Sequence, residues 1–416
     1  MCAQPREISL MRKYRKLHHP TRDPGILWIG SRKSLSLPSK PFHTKIVHAD
    51  LWQALHKSYN SVEDRLINNR FLNEIPQANT IEWPPFLRQE LQDAIAKCSL
   101  FSSPRPDHIF WWHLKSLISD NICLEKVLNI ANTCFNLGYW PSHFKAANSV
   151  IIPKPNKEHY NTPKSFCSIV LLNTVGKLIE KAISNWLQFH MVANRFLDPN
   201  QLGDIKQRLT TDTGIYLTHL IRTRWLKQYH TSVIAFNITQ FFPSLNHYFL
   251  SICLKKVELS TNIRDFFNSY HSSYSISYLW NSFLSPIFDT NVGVSQGSAL
   301  SPILSTIYLS PIIKTFKKRI KNLKENIPTD ILSFVDDSLL ISQEKSYSLS
   351  SSFLLCSYNI MSKILFDAGL VMEHSKTELF YFTRAQHPPN PSINLTPVGG
   401  PVVTLLENFL WKCNMG

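Results

Sequence analysis

Residues 331–342 read I-L-S-F-V-D-D-S-L-L-I-S, two apolar runs that flank the adjacent carboxylates Asp336 and Asp337. The apolar arms predict two strands over 331–341, and the polar break between them can only be the turn. Two aspartates are ordinary turn formers. Two at the tip of a buried hairpin also repel each other and are hard to desolvate, unless a divalent cation with a preference for hard oxygen ligands sits between them.

Upstream, residues 232–247 read S-V-I-A-F-N-I-T-Q-F-F-P-S-L-N-H. Ser232 to Phe236 predicts a buried strand with Asn237 at its carboxyl end and Phe242 just beyond. Pro243 and Ser244 start a helix with the stripe Leu245, Phe249, Ile252, Cys253 and Val257. Taken alone, Asn237 reads equally well as a satisfied amide ending a strand. Between these segments lies V-G-V-S-Q-G-S-A-L-S-P-I-L-S, residues 292–305. Gly297 permits a tight loop that brings Gln296 and backbone N–H groups toward a bound nucleotide, or simply a turn before a helix. Ser301 is the expected N-cap and Pro302 the first helical position, with the helix running to Ile320 and kinked at Pro311.

Further out, helices are expected over Asp50–Asn73, Glu90–Cys98, Trp111–Ile118, Leu124–Leu137, Asn173–Asn194 and Leu349–Ala368. That over Asn173–Asn194 carries the apolar stripe Val175, Leu178, Ile179, Ala182, Ile183 and Leu187. Ser149 to Ile152 reads as a strand, and Val371 to Phe382 as a closing hairpin. Strands and helices without a regular βαβ beat favour an α+β fold.

The whole chain has 416 residues, enough for two or three lobes. Its 44 basic and 29 acidic residues leave +15, which points to a polyanionic partner, while 44% hydrophobic and 12% aromatic residues exclude a disordered tail protein. Only 12 glycines occur, with no glycine-rich nucleotide fingerprint. The eight cysteines are scattered, so neither a zinc site nor a disulfide framework is expected, and a reducing compartment fits. The longest uncharged run, Thr290 to Ile313, holds two prolines and several serines and reads as a buried segment; neither a signal peptide nor a membrane span is expected.

Taken together and in order, F-V-D-D, V-S-Q-G-S-A-L-S-P and F-F-P-S-L-N-H resemble the reverse transcriptases of non-LTR (LINE-like) retrotransposons, closest to those of fungi. Supporting stretches are S-S-P-R-P-D-H (102–108), I-I-P-K-P-N-K (151–157), P-K-S-F-C-S-I-V-L-L-N-T-V-G-K-L-I-E-K (163–181) and G-L-V-M-E-H-S-K-T-E (369–378). The resemblance runs from about Trp52 to Pro401. It implies a right-hand polymerase with fingers and palm, an antiparallel palm sheet with packed helices, and a thumb largely missing. It also implies a layout: a basic, poorly ordered lead-in (1–50), an N-terminal helical extension (51–133), fingers (134–231), palm (232–400) and a truncated tail (401–416). The reaction would add deoxynucleoside triphosphates to a DNA primer on an RNA template with two Mg²⁺ ions, in the nucleus or cytoplasm.

The resemblance assigns Asp336 and Asp337 as metal ligands and gives Gln296 and Gly297 the incoming nucleotide. Phe242 becomes the steric gate that excludes a 2′-hydroxyl. Lys376 lies near the active site. Lys154 and Lys157 hold template or phosphate, unless they belong to a solvated loop. Three positions depart from the family. Position 237 is expected to be the first catalytic aspartate and is Asn237, an amide with no charge to offset a cation. Position 167 is expected to be an arginine that grips the triphosphate and is Cys167. Arg105 stands where glycine is usual. Polymerase activity is therefore expected to be lost or strongly reduced, and a nucleic-acid-binding remnant without chemistry is the alternative. A metal-dependent phosphohydrolase lacks a D-x-D strand or histidine cluster here. An RNA-copying RNA polymerase fits poorly with Phe242 and F-V-D-D.

Overall fold

The computed structural model describes residues 45–60, 65–68, 72–74, 83–99, 107–155, 162–257, 259–280, 283–323, 328–383, 393–395, 403–405 and 409–412. The lead-in over 1–44, Arg105 and Lys157 lie outside them. The fold is α+β, built around two five-stranded sheets.

The central sheet contains β3 (His230–Asn237), β7 (Thr329–Phe334), β8 (Asp337–Glu344), β9 (Glu378–Thr383) and β12 (Phe409–Lys412), in the order β12-β9-β3-β8-β7. All pairs are antiparallel except β12 with β9. Residues 409–412, set apart from the sequence as a tail, thus form an edge strand. Val233, Ile234 and Phe236 of β3 are all buried, so the strand is covered on both faces. On one side lies the helix Tyr347–Asp367, whose Ser350 hydroxyl donates to Ser232 Oγ at 2.8 Å. On the other, Leu217 and Leu220 of the helix Thr210–Trp225 cover Val233, Leu332 and Ile341. Each such burial contributes about 1.5–3 kcal/mol.

The second sheet contains β1 (Ala146–Pro153), β2 (Phe166–Leu171), β4 (Tyr274–Trp280), β5 (Phe283–Leu284) and β6 (Phe288–Thr290). β1 pairs antiparallel with β2 and parallel with β4. Residues 274–290, placed in the palm stretch by the linear layout, therefore belong to the sheet begun by 146–171. No single cut at 231/232 separates the two sheets. The helix Thr174–Ala193 follows β2. Asn173 caps it by accepting from the Val175 and Gly176 amides, and Leu178, Ile179, Ala182, Ile183 and Leu187 are buried along it. The first helix, Lys45–Tyr59, lies across the same sheet, with Trp52 stacked on Tyr278 and His56 on Phe288.

Several local expectations change. The first helix spans 45–59 rather than 50–73, and residues 65–68 are not helical. Phe241–Ser244 is a single turn, and a separate helix, His247–Lys256, begins because the Asn246 side chain accepts from the Phe249 amide. The long helix Ser301–Lys321 is capped at Leu300, with Ser301 its first residue; Pro311 lies inside it. Ser301 is not the cap because its hydroxyl donates back to the Ser295 carbonyl at 2.7 Å. Residues 371–382 are no hairpin: 374–376 form a 3₁₀ turn, Met372 bridges Ile238, and β9 pairs with β3. No described helix is long and apolar enough to cross a membrane.

Candidate nucleotide and nucleic-acid site

The β7–β8 hairpin turns through Val335 and Asp336, with Phe334 paired to Asp337. Val335 carries φ 59°, a region that β-branched residues rarely enter. The turn is braced from the outer edge of β7. The Leu202 amide donates to the Ser333 carbonyl at 2.8 Å, and the Ser333 amide to the Asn200 carbonyl at 2.9 Å. Gly203 is essential to this brace, because a Cβ there would lie 2.4 Å from the Val335 nitrogen.

The braced tip meets the end of β3. Asn237 is in register with Asp337, and the Ile238 amide donates to the Asp336 carbonyl at 3.0 Å. The Asn237 side-chain nitrogen donates to Asp336 Oδ2 at 3.2 Å and to Asp337 Oδ1 at 2.9 Å. Burial, and then the charge of Asp337, push the Asp336 carboxyl above the usual range; the Asn237 hydrogen bond and the Lys376 charge pull it back. Asn237 and the adjacent pair Asp336 and Asp337, about a hundred residues apart in sequence, thus form one hydrogen-bonded group.

A cleft of about 830 Å³ opens over this tip. Lys154, Cys167, Asn237, Phe242, Gln296, Asp336, Asp337 and Lys376 all line it. Phe242 sits in the 241–244 turn, half-buried, and its carbonyl accepts from the Val294 amide at 2.9 Å. Lys376 is exposed at the end of its 3₁₀ turn. That turn hangs from β3 by the Glu373 amide, which donates to the Asn237 carbonyl at 2.8 Å. Gly297 departs from expectation: it is not among the residues lining the cleft. It lies behind Gln296, where its Cβ would stand 2.2 Å from the Val170 carbonyl oxygen and its φ is +138°. The glycine lets the loop close on β2, and the Val170 amide donates to the Gln296 carbonyl at 2.9 Å.

Besides Gly203, two acidic residues here were missed from the sequence. Glu180 is buried beneath the loop and accepts from the Tyr270 hydroxyl (2.9 Å), the Ser298 hydroxyl (2.8 Å) and the Ala299 amide (3.0 Å). Burial holds its pKa above the usual carboxylate value. Asp204, one residue past Gly203, also lines the cleft. Burial foremost, then the nearby Asp336 charge, push its pKa up to about 6. A raised folded-state pKa means that its contribution to stability is full below about pH 4 and is lost as pH rises through about 6. Asp204→Asn is therefore expected to stabilise the protein at pH 7 by up to about 3 kcal/mol and to flatten the stability profile between pH 4 and 6. Urea melts across that range check it; an unchanged profile refutes it.

Residues 152–397 match the reverse transcriptase (RNA-dependent DNA polymerase) family, which is more than half of the chain. The chain belongs to this family. By family, the reverse transcriptase is a nucleotidyltransferase, an RNA-directed DNA polymerase. It is similar to a probable RNA-directed DNA polymerase from transposon BS of Drosophila melanogaster, 27% identical over 249 residues, covering 58% of this chain and 26% of the relative. The probable RNA-directed DNA polymerase from transposon X-element of the same species is 24% identical over 238 residues, 57% of this chain and 26% of that one. The RNA-directed DNA polymerase from mobile element jockey of Drosophila funebris is 24% identical over 224 residues, 54% and 24% respectively. The chain spans about a quarter of the length of these relatives. The reverse transcriptase match takes in the whole tip and the strands from β2 to β9; the helix Lys45–Tyr59 and most of β1 lie before it, and β12 lies after it.

Proposed function

We propose that this chain is the reverse transcriptase domain of a non-LTR retrotransposon that keeps the groove for an RNA template and DNA primer but has lost most or all of its polymerisation. Its kinship to fungal elements rests on motif wording alone. In this reading the β1–β2–β4 sheet belongs to the fingers, the central sheet is the palm, Phe242 gates the sugar, and Gln296 borders the incoming deoxynucleoside triphosphate. Cys167 stands where a guanidinium fork would hold the triphosphate. Lys376 and Lys154 supply positive charge along the cleft wall, and the family resemblance gives Lys157 the same role.

The single observation that carries the loss of activity is the Asn237 amide facing both carboxylates. The family uses divalent metal ions. Asp336 and Asp337 suit a hard cation, but Asn237 turns its N–H group rather than its oxygen toward them and brings no charge to offset one. Among the described residues no group of three or more His, Cys, Asp or Glu is placed to hold a metal ion. The residues do not fit a two-ion site as they stand, so the proposed role that survives is holding nucleic acid.

Two measurements test it. Binding of an RNA–DNA template–primer should weaken about a thousandfold or more between 50 and 200 mM salt if six or more phosphates are contacted. Primer extension by the unmodified chain should stay at background. A flat salt response overturns the groove, and robust extension overturns the loss of activity and leaves an active polymerase; steep salt dependence with background extension describes the inactive binder.

A further inference from the structure

Asn237 does more than omit a carboxylate. Its side-chain nitrogen carries two hydrogens, and each has an acceptor on a different aspartate, at 3.2 and 2.9 Å. Ionised carboxylates only accept, so the amide is oriented with its nitrogen toward them. The same residue anchors two other elements by its backbone: it is in register with Asp337, and its carbonyl takes the Glu373 amide at 2.8 Å. The neighbouring Ile238 amide donates to the Asp336 carbonyl. β3, the β7–β8 hairpin and the turn that carries Lys376 therefore converge on one amide.

A carboxylate at 237 would set three negative groups within hydrogen-bond distance, an arrangement that only a cation or a proton could hold. The amide removes that need. We propose that Asn237 acts as a built-in tie that closes the tip without metal: it donates one hydrogen to each aspartate, takes up one acceptor site on each for which a cation would compete, and keeps the cleft in shape while lowering its affinity for divalent ions. This rests on the reading of lost polymerisation and deepens it. A merely missing ligand would leave the aspartates open to a cation, whereas the tie competes with one.

The experiment compares the unmodified chain with Asn237→Ala and Asn237→Asp. Mn²⁺ binding is followed by the EPR signal of the free ion, and thermal melting is recorded in EDTA and in Mn²⁺. The unmodified chain should melt at nearly the same temperature in both solutions. Asn237→Ala offers one side-chain group fewer, yet should bind Mn²⁺ about tenfold more tightly, the factor that one hydrogen bond to a charged group supplies. Asn237→Asp should melt several degrees below the unmodified chain in EDTA and recover in Mn²⁺. Equal Mn²⁺ affinity for the unmodified chain and Asn237→Ala overturns the tie. If Asn237→Ala does not fold, the decision passes to Asn237→Asp: melting in EDTA as high as the unmodified chain overturns the tie equally. Primer extension by the unmodified chain, measured alongside, reports on lost polymerisation separately. Extension with the expected melting order would sink that reading alone, and silence with equal Mn²⁺ affinity would sink the tie alone.

Discussion

Asn237→Asp combined with Cys167→Arg is expected to raise primer extension on poly(rA)/oligo(dT) by about two orders of magnitude or more over the unmodified chain. The first change restores a charged oxygen beside Asp336 and Asp337, at a position already in register with Asp337. Charge stabilisation at the transferring phosphoryl group supplies most of the catalysis in such reactions, and one well-placed group contributes about 10²–10³. The second change sets a guanidinium on β2, where Cys167 is half-exposed and faces the cleft. A planar fork can grip phosphate oxygens with paired hydrogen bonds and a thiol cannot. Asn237→Asp alone should recover part of the rate and Cys167→Arg alone almost none, because a held triphosphate is useless over a closed tip. Extension should be measured in Mg²⁺ and Mn²⁺. A silent double variant would place the block outside these two positions.

The second large effect concerns stability. Glu180→Ala is expected to destabilise the fold by about 3–5 kcal/mol, read as a lower urea midpoint. The substitution deprives the Tyr270 hydroxyl, the Ser298 hydroxyl and the Ala299 amide of their shared acceptor. Each buried donor left without a partner costs about 1–3 kcal/mol, and the emptied volume adds to it. Tyr270 and Ser298 stay within 2.9 Å of each other, which recovers a little. Glu180→Gln keeps the volume and one acceptor oxygen and should lose less. Burial raises the Glu180 pKa in the folded state, so the advantage of the unmodified chain over Glu180→Ala is full at acid pH. It should shrink as pH rises past the ordinary carboxylate range. An advantage that grows with pH would contradict this placement of Glu180.

What could be read from the chain beforehand followed how local each signal is. The helix Thr174–Ala193 announces itself through a stripe every three or four residues and an asparagine cap. The β7–β8 hairpin does so through two apolar runs about one polar break. β4 does not: its partner β1 lies more than 120 residues earlier and pairs in parallel, which leaves no nearby turn to notice. The helix Thr210–Trp225 was missed because only Ile221 along it is fully buried, so no stripe forms. In the cleft, most of the residues named from motifs line one cavity, but Gly297 lies behind it and Lys157 falls outside the described residues. Gly203, Asp204 and Glu180 were silent because their roles exist only through contacts with the tip or with the 295–299 loop, over a hundred residues away. The exchange of hydrogen bonds at Asn237 was likewise invisible; a sequence shows an amide for an acid, not what the amide does with its protons.

The interleaving of the two sheets has a consequence for how the chain comes off the ribosome. β1 and β2 can pair at once, but the other side of β1 stays open until Ser275 and its neighbours emerge, about a hundred residues after Leu171. At about 5–20 residues per second that interval lasts roughly 5–20 s. During it, a two-stranded ribbon bearing V-I-I-P and F-C-S-I-V-L offers an unfilled edge to any extended segment nearby, the setting in which nascent chains aggregate or recruit chaperones.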